Sequence, residues 1–274
     1  MTQAPTCRIG DVTFGAGRLA LIAGPCMAED LDLCLRVAEH MAELCGRLGV
    51  GYVFKASYDK ANRTSATTAR GPGIEQGLNW LAEVRRRLGV PVLSDVHDVA
   101  QAARAGEVLD ALQIPAFLCR QTDLLVAAAE TGKAVNVKKG QFVAPAKMRF
   151  AAEKIRAAGN ENVLLTERGT TFGYDLLVND FRCVPIMRPF APVVFDATHS
   201  VQQTGEAAGA TGGQRQFVPT LAAAAVAAGA DGLFIETHPD PDRAASDAGS
   251  QWPLEGMEDL IRRCLELFNV VHRP

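Results

Sequence analysis

The stretch FKASYDKANRTS, residues 54–65, places three cations beside an amide and two hydroxyls. Its polar side chains include Lys55, Lys60, Asn62, Arg63 and Thr64. Arginine can hold phosphate oxygens through two parallel hydrogen bonds, and lysine binds them as a point charge. The whole chain has a net charge of −3, so this local cluster stands out against its background. Cations that are not paired one-to-one repel each other unless an anion is bound, so the stretch predicts a phosphorylated and carboxylated substrate.

A second set of residues has metal-ligand character, although its members are far apart in the sequence. The set is Cys26, His199, Glu236 and Asp247. One thiolate, one imidazole and two carboxylates suit Zn²⁺, Fe²⁺, Mn²⁺ or Co²⁺ better than Ca²⁺ or Mg²⁺. No CxxC or HExxH element ties them together, and free cysteine is among the most often buried residue types. From the residues alone, a buried structural Cys26 is therefore favoured over a ligand.

Eight short β-rich runs alternate with longer helical segments, and they would have to position these residues. The runs are 19–24, 52–57, 91–96, 111–116, 134–139, 162–167, 192–197 and 231–236. Several helical segments end at a glycine just before the next strand. Eight such repeats predict a (β/α)8 barrel with parallel strands, preceded by an N-terminal hairpin within residues 1–17. We predict one domain over residues 1–274, close to the roughly 250 residues typical of this barrel.

Catalytic groups of such barrels lie at the carboxyl ends of the strands. Every predicted strand ends in polar groups, namely Cys26, Lys55, Lys60, Asp95, His97, Gln113, Lys138, Lys139, Glu167, Arg168, Asp196, His199, Glu236 and His238. Any one of them could be an ordinary solvated loop residue, but eight converging endings predict an active site. Lys138 and Lys139 are neighbours on a strand, so at most one should face the barrel axis.

Composition excludes several classes of function. The pI near 6.0 argues against nucleic-acid or anionic-membrane binding. The sequence shows neither a signal-peptide pattern nor an apolar run long enough to span a membrane. Seven cysteines without paired spacing favour a reducing compartment, so we expect a cytoplasmic protein.

Several motifs together resemble one known family, the 3-deoxy-D-manno-octulosonate 8-phosphate synthases. They include IAGPC, FKASYDKANR, SDVHD, AVNVKKGQF, DATHSVQ and LFIETHPDPDRAASDAGSQWPL, and the resemblance runs from about residue 19 to 255. It implies a (β/α)8 barrel that condenses phosphoenolpyruvate with arabinose 5-phosphate and water, releasing phosphate. The product is the eight-carbon sugar phosphate of bacterial lipopolysaccharide. The resemblance also implies a homotetramer and no organic cofactor.

The resemblance assigns roles to individual residues. For phosphoenolpyruvate it implies Lys55, Ser57, Lys60, Gln113, Ala116, Phe117, Lys138 and Arg168. For arabinose 5-phosphate it implies Asn62, Arg63 and Thr64, with Arg120 from a neighbouring subunit. The class with Cys after GP needs a divalent metal, so Cys26, His199, Glu236 and Asp247 become expected ligands. Catalysis is expected from Cys26, Asp95, His97, Lys138, His199 and Asp247. Glu167 is a further candidate, either for proton transfer or for support of the groups that contact the metal.

Three other functions stay open. The related synthase that uses erythrose 4-phosphate resembles this chain in fold, but it typically has KPRTS where this chain has KANRTS. A Schiff-base aldolase using Lys55 or Lys138 is a different chemistry, and a non-catalytic sugar-phosphate sensor is a different class. Two stretches, 202–217 and 238–252, have the composition of lids. The segment 65–69 departs from the family pattern.

Overall fold

A computed structural model of the chain describes residues 5–63, 67–173, 176–203 and 212–272. Eight parallel strands form a closed barrel: β1 (Ala20–Gly24), β2 (Gly51–Lys55), β3 (Val92–Asp95), β4 (Ala111–Ile114), β5 (Ala134–Lys138), β6 (Val163–Glu167), β7 (Val193–Asp196) and β8 (Gly232–His238). Each strand pairs with the next, and β8 pairs with β1 from Gly232 opposite Ala20 to Glu236 opposite Gly24. The predicted (β/α)8 barrel is confirmed, and each observed strand overlaps its predicted run.

One helix follows each strand: α1 (Leu31–Leu48), α2 (Ile74–Leu88), α3 (Val99–Gly106), α4 (Thr122–Glu130), α5 (Arg149–Ala157), α6 (Cys183–Met187), α7 (Val218–Ala227) and α8 (Met257–Val271). Helix α1 shows the local signals clearly. The Asp30 side chain accepts a hydrogen bond from the Leu33 amide at its start. Gly49 ends it with φ of +66°, a left-handed conformation that favours glycine.

The N-terminal hairpin, Cys7–Ile9 paired with Val12–Phe14, closes one end of the barrel. Its side chains Cys7, Ile9 and Phe14 are buried in one cluster with inward-facing residues such as Ile22 and Phe234. A separate, larger apolar layer lies between the strands and the helices. The hairpin therefore fills the amino end of the barrel with apolar groups. The assignment of residues 1–274 to one domain stays a prediction.

Short strands and 3-10 turns lie at the opposite end of the barrel, where the parallel strands have their carboxyl ends. Two-residue strands pair as Thr170–Thr171 with Leu177–Val178 and as Gln202–Gln203 with Gly212–Gly213, and Trp252–Pro253 adds to β8. Single 3-10 turns span Ala116–Leu118, Pro145–Met148, His199–Val201, Arg215–Phe217, Pro241–Arg243 and Leu254–Gly256. Within the described ranges, none of the helices combines the length and the apolar character needed to cross a membrane.

Candidate active site

The carboxyl ends of the strands surround a cavity of about 650 Å³. Most of the residues predicted for binding or catalysis line it: Lys55, Ser57, Lys60, Asn62, Arg63, Asp95, His97, Gln113, Ala116, Phe117, Lys138, Arg168, His199 and Asp247. Parallel strands bring their carboxyl ends to the same edge, which explains why groups more than 180 positions apart meet there. The structure therefore gathers most of the predicted strand endings around one cavity.

The four predicted metal ligands lie together beside this cavity. Ligand atoms of Cys26, Glu236 and Asp247 are all within 4.8 Å of one another. Nε2 of His199 is 3.5 Å from Oε2 of Glu236 and 3.7 Å from Oδ2 of Asp247. Cys26 follows β1, His199 begins the 3-10 turn after β7, Glu236 lies near the carboxyl end of β8, and Asp247 lies in the loop after β8. Only closure of the barrel brings them into one cluster, which we call the Cys26 cluster.

The Cys26 cluster fits a divalent metal. Oε2 of Glu236 is buried and has no hydrogen-bond partner within the described part of the chain. Nδ1 of His199 is 2.7 Å from Oδ2 of Asp196, which leaves Nε2 directed at the two carboxylates. A buried carboxylate oxygen without a partner is costly unless a cation satisfies it. The four donors suit a transition metal of the Zn²⁺, Fe²⁺, Mn²⁺ or Co²⁺ type.

Burial raises the pKa of the Cys26 thiol well above its usual value, and the negative charges of Asp247 and Glu236 raise it further. Lys60 and Lys55 act in the opposite direction but do not overcome this. Without a cation between these groups, the thiol therefore keeps its proton. Because a metal binds the thiolate, metal binding at this site should release that proton.

The loop after β8 positions Cys26. Oε1 of Gln251 accepts a hydrogen bond from the Cys26 amide at 3.1 Å, and Oγ of Ser246 lies 3.1 Å from the Cys26 sulfur. Asp247 itself has φ of +50°, an uncommon conformation that aspartate tolerates better than most residues. Sequence reasoning singled out Asp247 in this loop but missed Ser246 and Gln251. No local pattern marks them, because their partner lies more than 200 positions away.

Two of the predicted anion-binding lysines already have carboxylate partners. Nζ of Lys55 is 2.7 Å from Oε1 of Glu236. Lys138 forms an ion pair with the buried Asp196. The expectation that the cation cluster lacks one-to-one pairing is therefore wrong for these two residues. In each pair the lysine and the carboxylate come from two strands of the barrel that have one other strand between them, a relationship that no local sequence pattern reveals.

Arg168 has a different environment. It is only 5% exposed, and no carboxylate within the described residues forms a salt bridge with it. Its Nη2 donates to Oε1 of Gln202 at 2.6 Å, while Nη1 is buried and has no partner among the described residues. Burial lowers the pKa of the guanidinium, although nearby carboxylates oppose this. A buried, incompletely satisfied cation facing a cavity calls for an anion there.

Gln202 joins Arg168 to the Cys26 cluster, and sequence reasoning did not single it out as a site residue. Its Nε2 donates to Oδ2 of Asp247 at 2.7 Å, while its Oε1 accepts from Arg168. Its sequence signals were its place at the end of the motif DATHSVQ and at the start of the predicted lid 202–217. Residues 204–211 of that lid lie outside the described residues.

Ser57, Asp95 and His97 form a hydrogen-bonded chain at the cavity wall. Oγ of Ser57 donates to Oδ1 of Asp95 at 2.5 Å, and Nε2 of His97 lies 3.0 Å from Oδ2 of Asp95. Burial by itself lowers the pKa of His97, but the hydrogen bond and charge of Asp95 outweigh it and raise the pKa above 6.5. Asp95 has a pKa far below its usual range because His97, Lys55 and Lys60 outweigh its burial. The chain can therefore hold a proton at His97 next to the cavity.

Lys138 and Lys139 face opposite sides, as predicted from their adjacency. Lys138 lines the cavity, whereas Lys139 is fully buried away from it. Glu167 also lies outside the cavity lining and accepts the amides of Arg168 and Gly169. Oε1 of Glu167 is thus engaged with its own backbone, while Oε2 is buried and has no hydrogen-bond partner among the described residues. The candidate role of Glu167 in proton transfer or in support of neighbouring groups stays a prediction.

The pentose-phosphate residues are only partly described. Asn62 and Arg63 line the cavity, and Arg63 donates to the carbonyl of Ala245 at 3.4 Å. Thr64 lies outside the described residues. Arg120 is exposed and is absent from the described cavity lining, so its predicted reach into a neighbouring subunit stays a prediction.

A (β/α)8 barrel whose strands end around a cation-lined cavity beside the Cys26 cluster has the architecture of an enzyme. The chain belongs to the DAHP synthetase I family, whose family model matches residues 2–271. A protein of Nitratidesulfovibrio vulgaris (strain DP4) is 56% identical over 258 residues, 94% of each chain, and is named 2-dehydro-3-deoxyphosphooctonate aldolase.

Two further relatives have the same name. One from Nitrobacter winogradskyi is 56% identical over 268 residues, which are 97% of this chain and 93% of the relative. One from Rhodopseudomonas palustris (strain HaA2) is 57% identical over 269 residues, 97% of this chain and 94% of the relative. These names confirm the resemblance seen in the sequence motifs.

Proposed function

We propose that this enzyme condenses phosphoenolpyruvate with arabinose 5-phosphate and water to give 3-deoxy-D-manno-octulosonate 8-phosphate and inorganic phosphate. Relatives named for the octonate product at about 56% identity support the reaction. The observation that carries the substrate assignment is Arg168, a buried guanidinium without a carboxylate partner among the described residues, facing the cavity. An acidic phosphate ester is the ligand that would satisfy it.

Phosphoenolpyruvate would lie among Lys55, Lys60, Lys138 and Arg168. Lys60 is well placed for a phosphate or carboxylate oxygen because its Nζ already donates to Oγ of Ser57 and remains 4.0 Å from Glu236. Burial lowers the pKa of Lys60, but Cys26 and the surrounding carboxylates outweigh this, and its net pKa is well above its usual value. The remaining wall would be formed by Gln113, Ala116 and Phe117.

Arabinose 5-phosphate would bind at the outer side of the same cavity. Asn62 and Arg63 line the cavity, and Thr64, which lies outside the described residues, would add the third predicted phosphate contact. Arg120 would come from a neighbouring copy in a homotetramer. The stretch 54–65 would then separate the two substrates, with its buried lysines facing phosphoenolpyruvate and its exposed end facing the pentose phosphate.

The condensation forms one carbon–carbon bond and exchanges one carbon–oxygen bond. C3 of phosphoenolpyruvate attacks the aldehyde carbon, and the aldehyde oxygen gains a proton. Water adds to C2 and loses one proton, which balances the proton gained by the aldehyde oxygen. The C2–O bond to phosphate then breaks, the new C2 hydroxyl loses its remaining proton to leave a ketone, and that proton departs with inorganic phosphate. The cations of the cavity hold two mutually repelling dianions in contact and supply orientation. Asp95 and His97 are placed to hold or move a proton at His97 Nε2.

Cys26, His199, Glu236 and Asp247 would hold the divalent metal. When bound, such an ion supplies Lewis-acid polarisation and orientation of an oxygen ligand. Asp196 fixes the His199 ring, and Ser246 and Gln251 fix Cys26. These supporting contacts are expected because the groups behind metal ligands set ligand orientation and affinity.

The direct test is phosphate release from phosphoenolpyruvate in the presence of arabinose 5-phosphate. The assay is repeated after chelation and after return of Mn²⁺, Zn²⁺ or Fe²⁺, with metal content measured at each stage. Activity lost to chelator and regained with metal supports both the reaction and the metal site. Full activity of a protein that contains no metal would support the proposed reaction and contradict the proposed metal site.

The same assay separates the erythrose-using activity. Erythrose 4-phosphate is supplied in place of the pentose phosphate at equal concentration. Faster phosphate release with the four-carbon aldose would overturn the substrate assignment. The family description alone does not distinguish the two, whereas the names of the relatives favour the octonate product.

A Schiff-base mechanism at Lys138 has one observation in its favour, since burial lowers the pKa of that ammonium group despite the opposing charge of Asp196. Borohydride is therefore added during turnover, and the protein mass is measured. A covalent adduct at Lys138 would replace the proposed mechanism, while an unchanged mass supports phosphate binding by that lysine.

A further inference from the structure

A buried ion pair lies directly behind the proposed phosphoenolpyruvate site. Nζ of Lys139 is 3.6 Å from Oε1 of Glu167, and neither side chain is more than 3% exposed. Lys139 follows Lys138 in the chain, and Glu167 precedes Arg168. Each member of the pair is thus joined by one peptide bond to a cation that lines the cavity.

Lys139 ties two loops together. Its Nζ lies 3.2 Å from the carbonyl of Gly140 and 3.4 Å from that of Val143, both in the loop after β5. It also lies 3.5 Å from the carbonyl of Gly169 and 3.3 Å from Oγ1 of Thr170, both in the loop after β6. The ammonium group is therefore a junction between the two loops that follow Lys138 and Arg168.

Glu167 holds the backbone of the second loop. Its Oε1 accepts the amide of Arg168 at 2.9 Å and that of Gly169 at 2.6 Å. Gly169 has φ of +89°, so the chain turns sharply immediately after Arg168. A carboxylate that accepts both amides fixes where the Arg168 side chain begins, and Lys139 fixes the carboxylate.

Burying two charges is costly, and a well-packed apolar pair of similar volume often stabilises a protein as well or better. The pair is therefore poorly explained by stability alone. Its contacts lie in the two loops that begin next to the cavity-lining cations, Lys138 at the end of β5 and Arg168 directly after β6. The spacing between those cations decides how well a planar carboxylate and a phosphate can be held at once.

We propose that Lys139 and Glu167 are positioning residues that set the relative placement of Lys138 and Arg168 for phosphoenolpyruvate. This inference rests on the proposed function, since it names the substrate whose binding the pair controls. Neither residue would touch the substrate. Loss of the pair should weaken phosphoenolpyruvate binding while leaving the pentose-phosphate end of the cavity, built on the loop after β2, unaffected.

The test uses the double variant Lys139→Met/Glu167→Gln in the metal-loaded enzyme. It removes both buried charges together, keeps side-chain volume, and leaves an amide oxygen for the two backbone amides. The matched control is Lys147→Met/Glu153→Gln, which makes the same two substitutions at exposed positions. Lys147 lies in the connection between β5 and α5, and Glu153 lies on α5. Circular dichroism and thermal unfolding verify that each variant is folded.

The double variant should raise the KM for phosphoenolpyruvate about 10-fold, keep the KM for arabinose 5-phosphate within about 2-fold, and keep kcat within about 3-fold. The control should keep all three parameters near the parent values. A milder variant, Thr170→Val, removes one contact of Lys139 without changing charge, and it should raise the same KM about 2-fold. This variant provides the comparison if the double variant is unfolded.

An unchanged phosphoenolpyruvate KM in the folded double variant, or in Thr170→Val if only that variant folds, would overturn the inference and make the pair purely structural. Equal rises in both KM values would also overturn it, because they would indicate that the whole site has become less ordered.

Calorimetric titration with phosphoenolpyruvate alone separates this inference from the proposed function. If the parent protein binds phosphoenolpyruvate but releases no phosphate, the proposed reaction is wrong. The phosphoenolpyruvate affinities of the parent and the double variant then still decide the role of the Lys139–Glu167 pair. A parent that does not bind phosphoenolpyruvate overturns both.

Discussion

Lys55 donates a 2.7 Å hydrogen bond to Oε1 of Glu236, and the other oxygen of that carboxylate faces the Cys26 cluster without a hydrogen-bond partner among the described residues. The Glu236 carboxylate therefore connects two proposed sites. It is itself a proposed metal ligand, and it pairs with Lys55, which belongs to the proposed phosphoenolpyruvate site. Both side chains are at most 2% exposed. Metal binding and substrate binding should consequently influence each other through this pair.

Replacement of Lys55 by Met should destabilise the metal-free protein. The substitution leaves Oε1 of the buried Glu236 carboxylate without its lysine partner. Breaking a buried ion pair in this way lowers the free energy of unfolding by about 3 kcal/mol. The loss should be smaller in the metal-loaded protein, since a bound cation would neutralise the same carboxylate. Urea unfolding with and without metal measures the difference.

The control for this prediction is Arg47→Met. Arg47 forms an ion pair with Glu258 at 3.0 Å, but both side chains are substantially exposed. Removal of an exposed pair should change the urea midpoint little. An equally small effect of Lys55→Met in the metal-free protein would show that the buried pair contributes no more than a surface pair.

Replacement of Cys26 by Ala should lower metal content and activity together. The thiolate is one of four proposed ligands, so its loss should weaken metal affinity by at least about 100-fold, the upper end of the loss seen when a group behind a metal ligand is removed. Metal analysis after dialysis and phosphate release give the two readouts. Cys264→Ala, which removes a buried cysteine on α8, is the control. Normal metal content and full activity in Cys26→Ala would return Cys26 to a structural role.

Replacement of Gln202 by Leu should weaken two functions at once. The side chain donates to Asp247 and accepts from Arg168, so its loss should raise the phosphoenolpyruvate KM by about 10-fold and also lower metal affinity. Steady-state kinetics and chelator competition measure the two effects. Gln203→Leu is the neighbouring control, because Gln203 is absent from the described cavity lining. A change in only one property would show that the two contacts act independently.

Replacement of His97 by Gln should reduce stability in a pH-dependent manner. The pKa of His97 is raised in the folded protein, chiefly because Asp95 outweighs the effect of burial. The stability gained from protonated His97 is therefore fully present below about pH 6.5 and is lost as pH rises through the folded pKa. The lowered pKa of Asp95 keeps its carboxylate charged across this range.

Unfolding of the parent and His97→Gln between pH 5 and pH 9 measures this effect. The difference in unfolding free energy should be largest at the acidic end and should shrink toward the alkaline end. His40→Gln is the control for removing an exposed histidine. A difference that grows with pH would contradict the assignment of a proton-holding role to the His97–Asp95 pair.

Sequence periodicity predicted the barrel because each strand and helix leaves a local pattern that repeats eight times. It also predicted most of the cavity, since the topology requires all eight carboxyl ends to meet on one face. The four metal-ligand candidates were scattered over the chain, and their assignment depended on family resemblance. The structure brings ligand atoms of Cys26, Glu236 and Asp247 within 4.8 Å of one another and places Nε2 of His199 beside the two carboxylates.

The sequence by itself determined the fold class, the polar face of the barrel and the opposed directions of Lys138 and Lys139. Only the tertiary structure decided which groups are partners. The pairing of Lys55 with Glu236, the bridge through Gln202 and the support of Cys26 by Gln251 join residues 34 to 225 positions apart. Such contacts depend on barrel register and loop conformation, and no local sequence pattern specifies them, because their energy is gained only when distant segments are packed together.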